Sequence, residues 1–247
     1  MRVSGFRRWL LSLFVPGAVL VSIDRTALAS ALTVAPVTLT MPAGQMASSL
    51  TLSNPGHQPL AFQIRAFSWE QRGGSDHLAA TDALQFSPPM GLLAAGASQV
   101  VRLVLRSPAQ VSEASYRLLI DQIPPPASPG TVSMVLRMSI PVFAEPPSRV
   151  FPDLQWHVET NDKQAWLVAE NRGGSHEVVR NLALRAPDGS RVPVEGGAFG
   201  YVLAGASRRW ELALHSAALA ASTVMELSAQ TDHGSIDIDV PVAMSKP

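Results

Sequence analysis

Two extended runs flank a proline-rich loop in YRLLIDQIPPPASPGTVSMVLRMSIPVF, from Tyr116 to Phe143, and this stretch constrains the chain more than any other. In the second run Val132, Met134, Leu136, Met138, Ile140 and Val142 occupy alternate positions. Successive side chains of a strand point to opposite faces, so this period of two makes one continuous apolar ridge along a strand. A ridge of that length is either half of a core or a surface kept for a partner.

The same grammar runs through the rest of the chain. Leu50-Thr51-Leu52, Ala61 to Trp69, Gln99 to Leu105, Trp156-His157-Val158, Ala165 to Ala169, Leu182-Ala183-Leu184, Tyr201-Val202-Leu203, Trp210 to Leu214, Met225 to Ala229 and Ile236 to Val242 read as short strands. Asn54-Pro55-Gly56, Arg72-Gly73-Gly74, Pro88-Pro89, Pro187-Asp188-Gly189 and Asp232-His233-Gly234 supply the turns between them. No segment keeps a helical period over three turns. Short strands at this spacing predict an all-β fold of sandwiches. Glu145-Pro146-Pro147-Ser148 reads as a stiff linker. It divides the chain into an N-terminal domain over 30–145 and a C-terminal domain over 146–247.

Arg2, Arg7 and Arg8 precede an apolar run from Trp9 to Ile23, followed by Ala27-Leu28-Ala29. This is the order of a cleaved secretory signal over residues 1–29, with Ala29-Ser30-Ala31 as a second cut site. The full chain holds 19 basic and 19 acidic residues; without the signal's four Arg and one Asp, 15 and 18 remain, a net charge near −3. That charge predicts no nucleic-acid partner, which calls for a concentrated basic face. No later stretch is long and apolar enough to predict stable membrane insertion. Cysteine is absent, so stability rests on ordinary cores.

No catalytic constellation emerges. The six histidines, His57, His77, His157, His176, His215 and His233, lack the spacing of metal ligands. There is no G-x-S-x-G elbow, and Gly196-Gly197-Ala198-Phe199-Gly200 departs from the phosphate-loop pattern. Asp237 and Asp239 share one face of a terminal strand and read as a solvated edge feature. The expectation is a protein that is not an enzyme and that needs neither cofactor nor metal.

At this point the motifs resemble a family. Asn54-Pro55, Phe67-Ser68-Trp69 with Gln71, Ser87-Pro88-Pro89, Gln99 to Leu103, Tyr116 to Pro125, and Gly200-Tyr201-Val202-Leu203 with Gly205 and Trp210 occur in the order found in periplasmic pilus-assembly chaperones of the chaperone–usher pathway. The likeness is greatest to their archaic, or sigma, branch. It implies two immunoglobulin-like domains in an L-shaped arrangement and a periplasmic location. It implies binding of pilus or fimbrial subunits by donor-strand complementation and delivery to an outer-membrane usher. The donor strand G1 falls on residues 131–143, with Val132, Met134 and Leu136 leading and Met138 and Ile140 next. A free ridge of this kind would also serve a self-capping dimer.

The positions that carry the family's two basic anchors for a subunit carboxylate hold Pro36 and Pro141 here. Arg117, on the strand beside G1, is the preferred substitute, and Arg137 the weaker one. Arg102, Glu113 and Asp232 align with the family's buried charge network between the domains. The principal rival reading is a secreted two-domain β-sandwich that serves as an adhesive or carbohydrate-binding protein, which would display aromatic side chains on an exposed face.

Overall fold

A computed structural model describes residues 32–124, 135–161, 163–196, 199–213 and 224–244. Their regular structure is entirely β, as the alternation predicts. The first ten strands are β1 (Thr33–Ala35), β2 (Leu39–Met41), β3 (Ala47–Ser53), β4 (Leu60–Arg72), β5 (Ser75–Ala80), β6 (Leu84–Ser87), β7 (Met90–Leu93), β8 (Ser98–Leu105), β9 (Ala114–Ile123) and β10 (Arg137–Ala144). They form two sheets, one ordered β1-β3-β8-β6 and the other β2-β10-β9-β4-β5, with β7 also on β4. Strict alternation makes the core between them. Val101, Leu103 and Leu105 of β8 turn inward while Val100, Arg102 and Val104 face out. Leu50 and Leu52 join them from β3; Phe62, Ile64, Leu118, Ile120, Ile140 and Val142 meet them from the facing sheet.

The chain changes sheets between β1 and β2, at Pro36. β1 pairs antiparallel with β3, whereas β2 pairs parallel with β10, through Leu39, Thr40 and Met41 opposite Val142, Phe143 and Ala144. Asn54, buried just after β3, closes the end of this sandwich. Its amide donates to the carbonyls of Gln58, Leu93 and Ala94 and its oxygen accepts from Gly56 N–H. A buried amide is tolerated because it is paired in this way.

The remaining strands are β11 (Leu154–Thr160), β12 (Ala165–Asn171), β13 (Glu177–Arg185), β14 (Arg191–Val192), β15 (Gly200–Val202), β16 (Ser207–Leu212), β17 (Val224–Thr231) and β18 (Gly234–Met244). Their order is β14-β13-β17-β18-β11-β12-β16, with β15 on β13. They enclose a second core of Trp156, Leu167, Leu184, Trp210, Met225, Leu227 and Val240. Asn171, at the end of β12, repeats the device of Asn54: it donates to the carbonyls of Ser175 and Val202 and accepts from the N–H groups of Asp153 and Gly173. Asp237 and Asp239 are exposed and lie where β18 pairs with β17 alone, since β11 joins it only from Val242; they sit on a solvated edge, as the sequence reading has it.

The sandwiches meet through a third apolar cluster of Trp69, Phe143 and Leu203, with Tyr201 and Ala206 against it. Phe143 stacks on the His176 imidazole with ring centroids 3.6 Å apart and planes 8° apart. Gln71 crosses the junction: its amide donates to the Tyr201 carbonyl at 2.8 Å and its oxygen accepts from Leu203 N–H at 3.0 Å. Glu113 is buried, with both carboxylate oxygens 2.8 and 2.9 Å from His176 Nδ1.

The charge network expected of Arg102, Glu113 and Asp232 is therefore built differently. Arg102 lies on the outward face of β8, in the sheet without the junction residues, and is exposed. Asp232 pairs with Arg180 at 2.5 Å near the surface. Glu113 alone of the three is buried at the junction, and its partner is His176. Phe143→Ala should remove the stacking surface and cost about 3–5 kcal/mol. Urea unfolding should then separate into two transitions, where the wild type shows coupled unfolding of both domains.

Candidate functional site

β10 is paired unequally along its two sides. β9 accompanies it from Arg137 to Ala144, but β2 covers only Val142 to Ala144. Among the described residues, Arg137 to Pro141 thus have no strand on the second side. The Leu136 carbonyl accepts from Gln122 N–H at 3.0 Å, so position 136 bonds toward β9. In an antiparallel ladder the alternate residues, Arg137 and Ser139, then aim their backbone groups at the open side. An open edge of this kind can accept another strand.

The ridge divides along its length. Ile140 is 5% exposed and Val142 fully buried, both in the domain's own core, and Met138 packs against that core. These residues lie opposite Ile120, Leu118 and Tyr116, which fill the sandwich, so they are not free for a partner's groove. That corrects the expectation for Met138 and Ile140. Leu136 faces the same way, lies opposite the polar Gln122 beyond the core, and is 39% exposed. Val132 and Met134 lie outside the described residues, as does most of the proline-rich loop.

On the outward face of the same sheet, Asp121 ties three strands together. It accepts from Arg65 Nη2 of β4 at 2.7 Å and from Arg137 Nε of β10 at 2.5 Å. Burial raises the Asp121 pKa, but the bonds from Arg137 and Arg65 outweigh it and hold the carboxyl below the usual range. Arg137 is thereby committed to the sheet's own carboxylate, which removes it as a free carboxylate anchor.

Arg117 sits in the crevice between the domains. Its guanidinium carbon lies 3.5 Å from the Trp69 ring centroid and 5.2 Å from that of Tyr201. Among the described residues it makes no ion pair. Burial lowers its pKa, Asp76 and Tyr201 oppose that, and Arg208 adds to it. The side chain leans from β9 toward β4 and β5, away from the open edge of β10. A third feature lies at the far end of the sheet, where Leu92 of β7 and Ile123 of β9 flank Ala61 of β4, and Met90 continues the patch; all three large side chains are exposed.

Residues 31–149 match the family described as pili and flagellar-assembly chaperone, PapD N-terminal domain. That stretch takes in all ten strands of the N-terminal sandwich. A search of curated protein sequences gives no match. Among solved structures, the chain is similar to one in the CsuC–CsuE chaperone–tip adhesion subunit pre-assembly complex from archaic chaperone–usher Csu pili of Acinetobacter baumannii. The TM-score is 0.65 at 23% identity, covering 88% of this chain and 100% of that one. It is also similar to the YadV chaperone (TM-score 0.60, 18% identity, 85% and 98% covered). A third likeness is to a structure of Salmonella enterica SafA pilin with the SafB chaperone (TM-score 0.57, 18% identity, 86% and 97% covered). The chaperone family and these neighbours are non-enzymatic, and the neighbours share the immunoglobulin-like two-domain fold.

Sequence reasoning missed Asp121, His176 and the aromatic cluster between the sandwiches. Trp69 and Phe143 carried a usable signal, since both fall out of phase with the inward residues of their strands. Asp121→Asn should cost about 1 kcal/mol at neutral pH, a figure discounted for the exposure of both arginines. Asp121's contribution is complete above an unfolded carboxylate pKa of about 3.9. It is lost as pH falls through the lower folded value. Urea denaturation across a pH series should show the difference between wild type and variant shrinking below about pH 4.

Proposed function

We propose that this protein is a periplasmic chaperone that captures pilus or fimbrial subunits by donor-strand complementation and passes them to an outer-membrane usher. The observation that carries this reading is the open edge of β10 beside exposed Leu136. A subunit lacking one strand exposes an apolar cleft and unpaired backbone, both prone to aggregation. The segment 131–139 would add the missing strand: backbone groups of Arg137 and Ser139 pair with the subunit, while Val132, Met134 and Leu136 enter its pockets. Three such side chains contribute roughly 1.5–3 kcal/mol each before association costs. Methionine suits grooves of slightly different shape. No nucleotide is required, because subunit folding supplies the free energy.

Residues 1–29 act as the export signal, with 30–145 and 146–247 as the two domains. The archaic branch is the favoured assignment, in keeping with the A. baumannii likeness. β2 fills the edge of β10 from Val142 onward, so a subunit strand added there stops near Pro141. A strand running parallel to β10, as β2 does, presents its C-terminal carboxylate at that point. Arg117, opposite Pro141 in register, is the cation that would receive it. The exposed patch of Met90, Leu92 and Ile123 is a second protein-facing surface, suited to the usher. The adhesive or carbohydrate-binding reading is disfavoured because Trp69, Trp156 and Trp210 are buried and Trp166 is half-buried.

The test is co-expression with the products of neighbouring genes. Wild type should bring down a small partner, and the Met134→Asp, Leu136→Asp double variant should lose it while remaining folded. Ile140→Asp should unfold the domain, since that side chain belongs to the core. A folded double variant that keeps its partner would overturn donor-strand capture.

A further inference from the structure

β18 is built on the same plan as β10. β17 pairs with it from Gly234 to Pro241, but β11 joins its other side only from Val242 to Met244. Among the described residues, Ser235 to Asp239 therefore have no strand on that second side. The two-residue turn between Thr231 and Gly234 makes them a hydrogen-bonded pair, so Ile236 and Ile238 also bond toward β17. Ser235, Asp237 and Asp239 then aim their backbone groups at the open side. Pro241 shares their phase, so its missing N–H takes no bond from β17. Pro141 holds the same place in β10, immediately before β2 begins to pair.

Beside this edge lies a groove of about 480 Å³, whose lining includes Phe151, Leu154, Trp156, Ile236 and Ile238. Ile238 alternates with the buried Val240 yet is 42% exposed, since β11 has not yet joined the strand there. Trp156 is 8% exposed, and its indole Nε1, which can only donate, is buried without a partner. Charge decides what can lie in such a place. Asp239 is opposite Glu226 of β17 in register, a like-charge pair that is unfavourable for the sheet. Arg185 faces Glu226 from β13, so with Asp237 the row holds three acids against one base. Among the described residues none of the three acids makes an ion pair. A second copy of this strand would bring further acids against them, which closes the edge to its own kind.

We propose that the open edge of β18 takes up an extended segment of a partner protein in which basic and apolar residues alternate, added as a strand along Ser235 to Asp239. Lysine or arginine at every second position sits beside Asp237 and Asp239 on the outer face. The intervening apolar side chains turn to the other face and cover Ile238 and Leu154. Backbone bonds supply the affinity and the two faces supply the selectivity. This is a second protein-binding edge, on the second sandwich, and it does not depend on the subunit-capture reading.

The experiment uses the mature protein and short peptides of alternating lysine and valine, acetylated and amidated at their ends. Amide exchange followed by NMR reads the site, because it separates Asp237 and Asp239 from Arg137 and Ser139 of β10. Saturating peptide should slow exchange at Asp237 and Asp239 about tenfold or more and leave Arg137 and Ser139 unchanged. A peptide with glutamate in place of lysine should not bind, and one N-methylated along its pairing edge should bind far more weakly. The Asp237→Asn, Asp239→Asn double variant should weaken the lysine peptide about tenfold, as two exposed ion pairs are lost. Its thermal midpoint should be no lower than that of wild type, since the repulsion from Glu226 goes with the charge. Equal binding of the methylated peptide would reduce the effect to charge attraction without strand addition and overturn the proposal. Undiminished affinity in the double variant, or unchanged exchange at millimolar peptide, would overturn it as well. Slowing of the same amides with protein concentration alone would mean that a second copy fills the edge, which also overturns it.

Discussion

The stacking of Phe143 on His176 holds the rest of the molecule in place. β10 turns Ile140 and Val142 into the first core and Phe143 out to the junction, where Trp69 and Tyr201 join the imidazole. The C-terminal half of this strand is thus gripped on both faces, and β2 covers its edge there as well. Aromatic pairs of this kind contribute beyond their buried area, and the buried Glu113 carboxylate fixes the imidazole from a second direction. What remains is a strand whose first half has one side bonded to β9 and the other open. Rigidity at one end makes the exposed end a template: a partner pays little ordering cost for a strand that is already extended.

Charge is arranged around that template in two distinct ways. Asp121 is satisfied from both sides, by Arg65 and Arg137, and so braces β4, β9 and β10 into one outward face. Arg117 is unsatisfied by comparison, and it lies where the second domain closes over the same sheet. A charge committed to its own fold stabilises the scaffold; a charge held on an aromatic ring with idle donors is available to a ligand. The difference between Arg137 and Arg117 is therefore one of partners, not of residue type.

Much of this was legible from the chain alone. Alternation placed the longer sandwich strands, such as β4, β8 and β9. The resemblance drawn from Asn54-Pro55, Ser87-Pro88-Pro89 and the Tyr116 to Pro125 run led to the chaperone family that residues 31–149 match. Short strands such as β1, β2 and β14 were not legible, since two or three residues carry no period and depend on their neighbours for pairing. The ridge from Val132 to Val142 was read as one surface because alternation cannot reveal where a core ends; that boundary is set by whether β9 presents Ile120 or Gln122 opposite it. The Arg102, Glu113 and Asp232 network was misplaced for a related reason, since alignment fixes position along a strand and not the partner across space. His176, which replaces that network's role at Glu113, gave no signal in a scattered set of histidines.

The central claim is that the open edge of β10 becomes a paired edge when a subunit is bound. Amide hydrogen exchange at Arg137 and Ser139 measures this directly, in the free protein and in its complex with a co-expressed subunit. The account predicts rapid exchange in the free protein and slowing of about tenfold or more in the complex, as new backbone bonds form. Exchange at both amides that stays unchanged in the complex would contradict it and place the subunit on another surface.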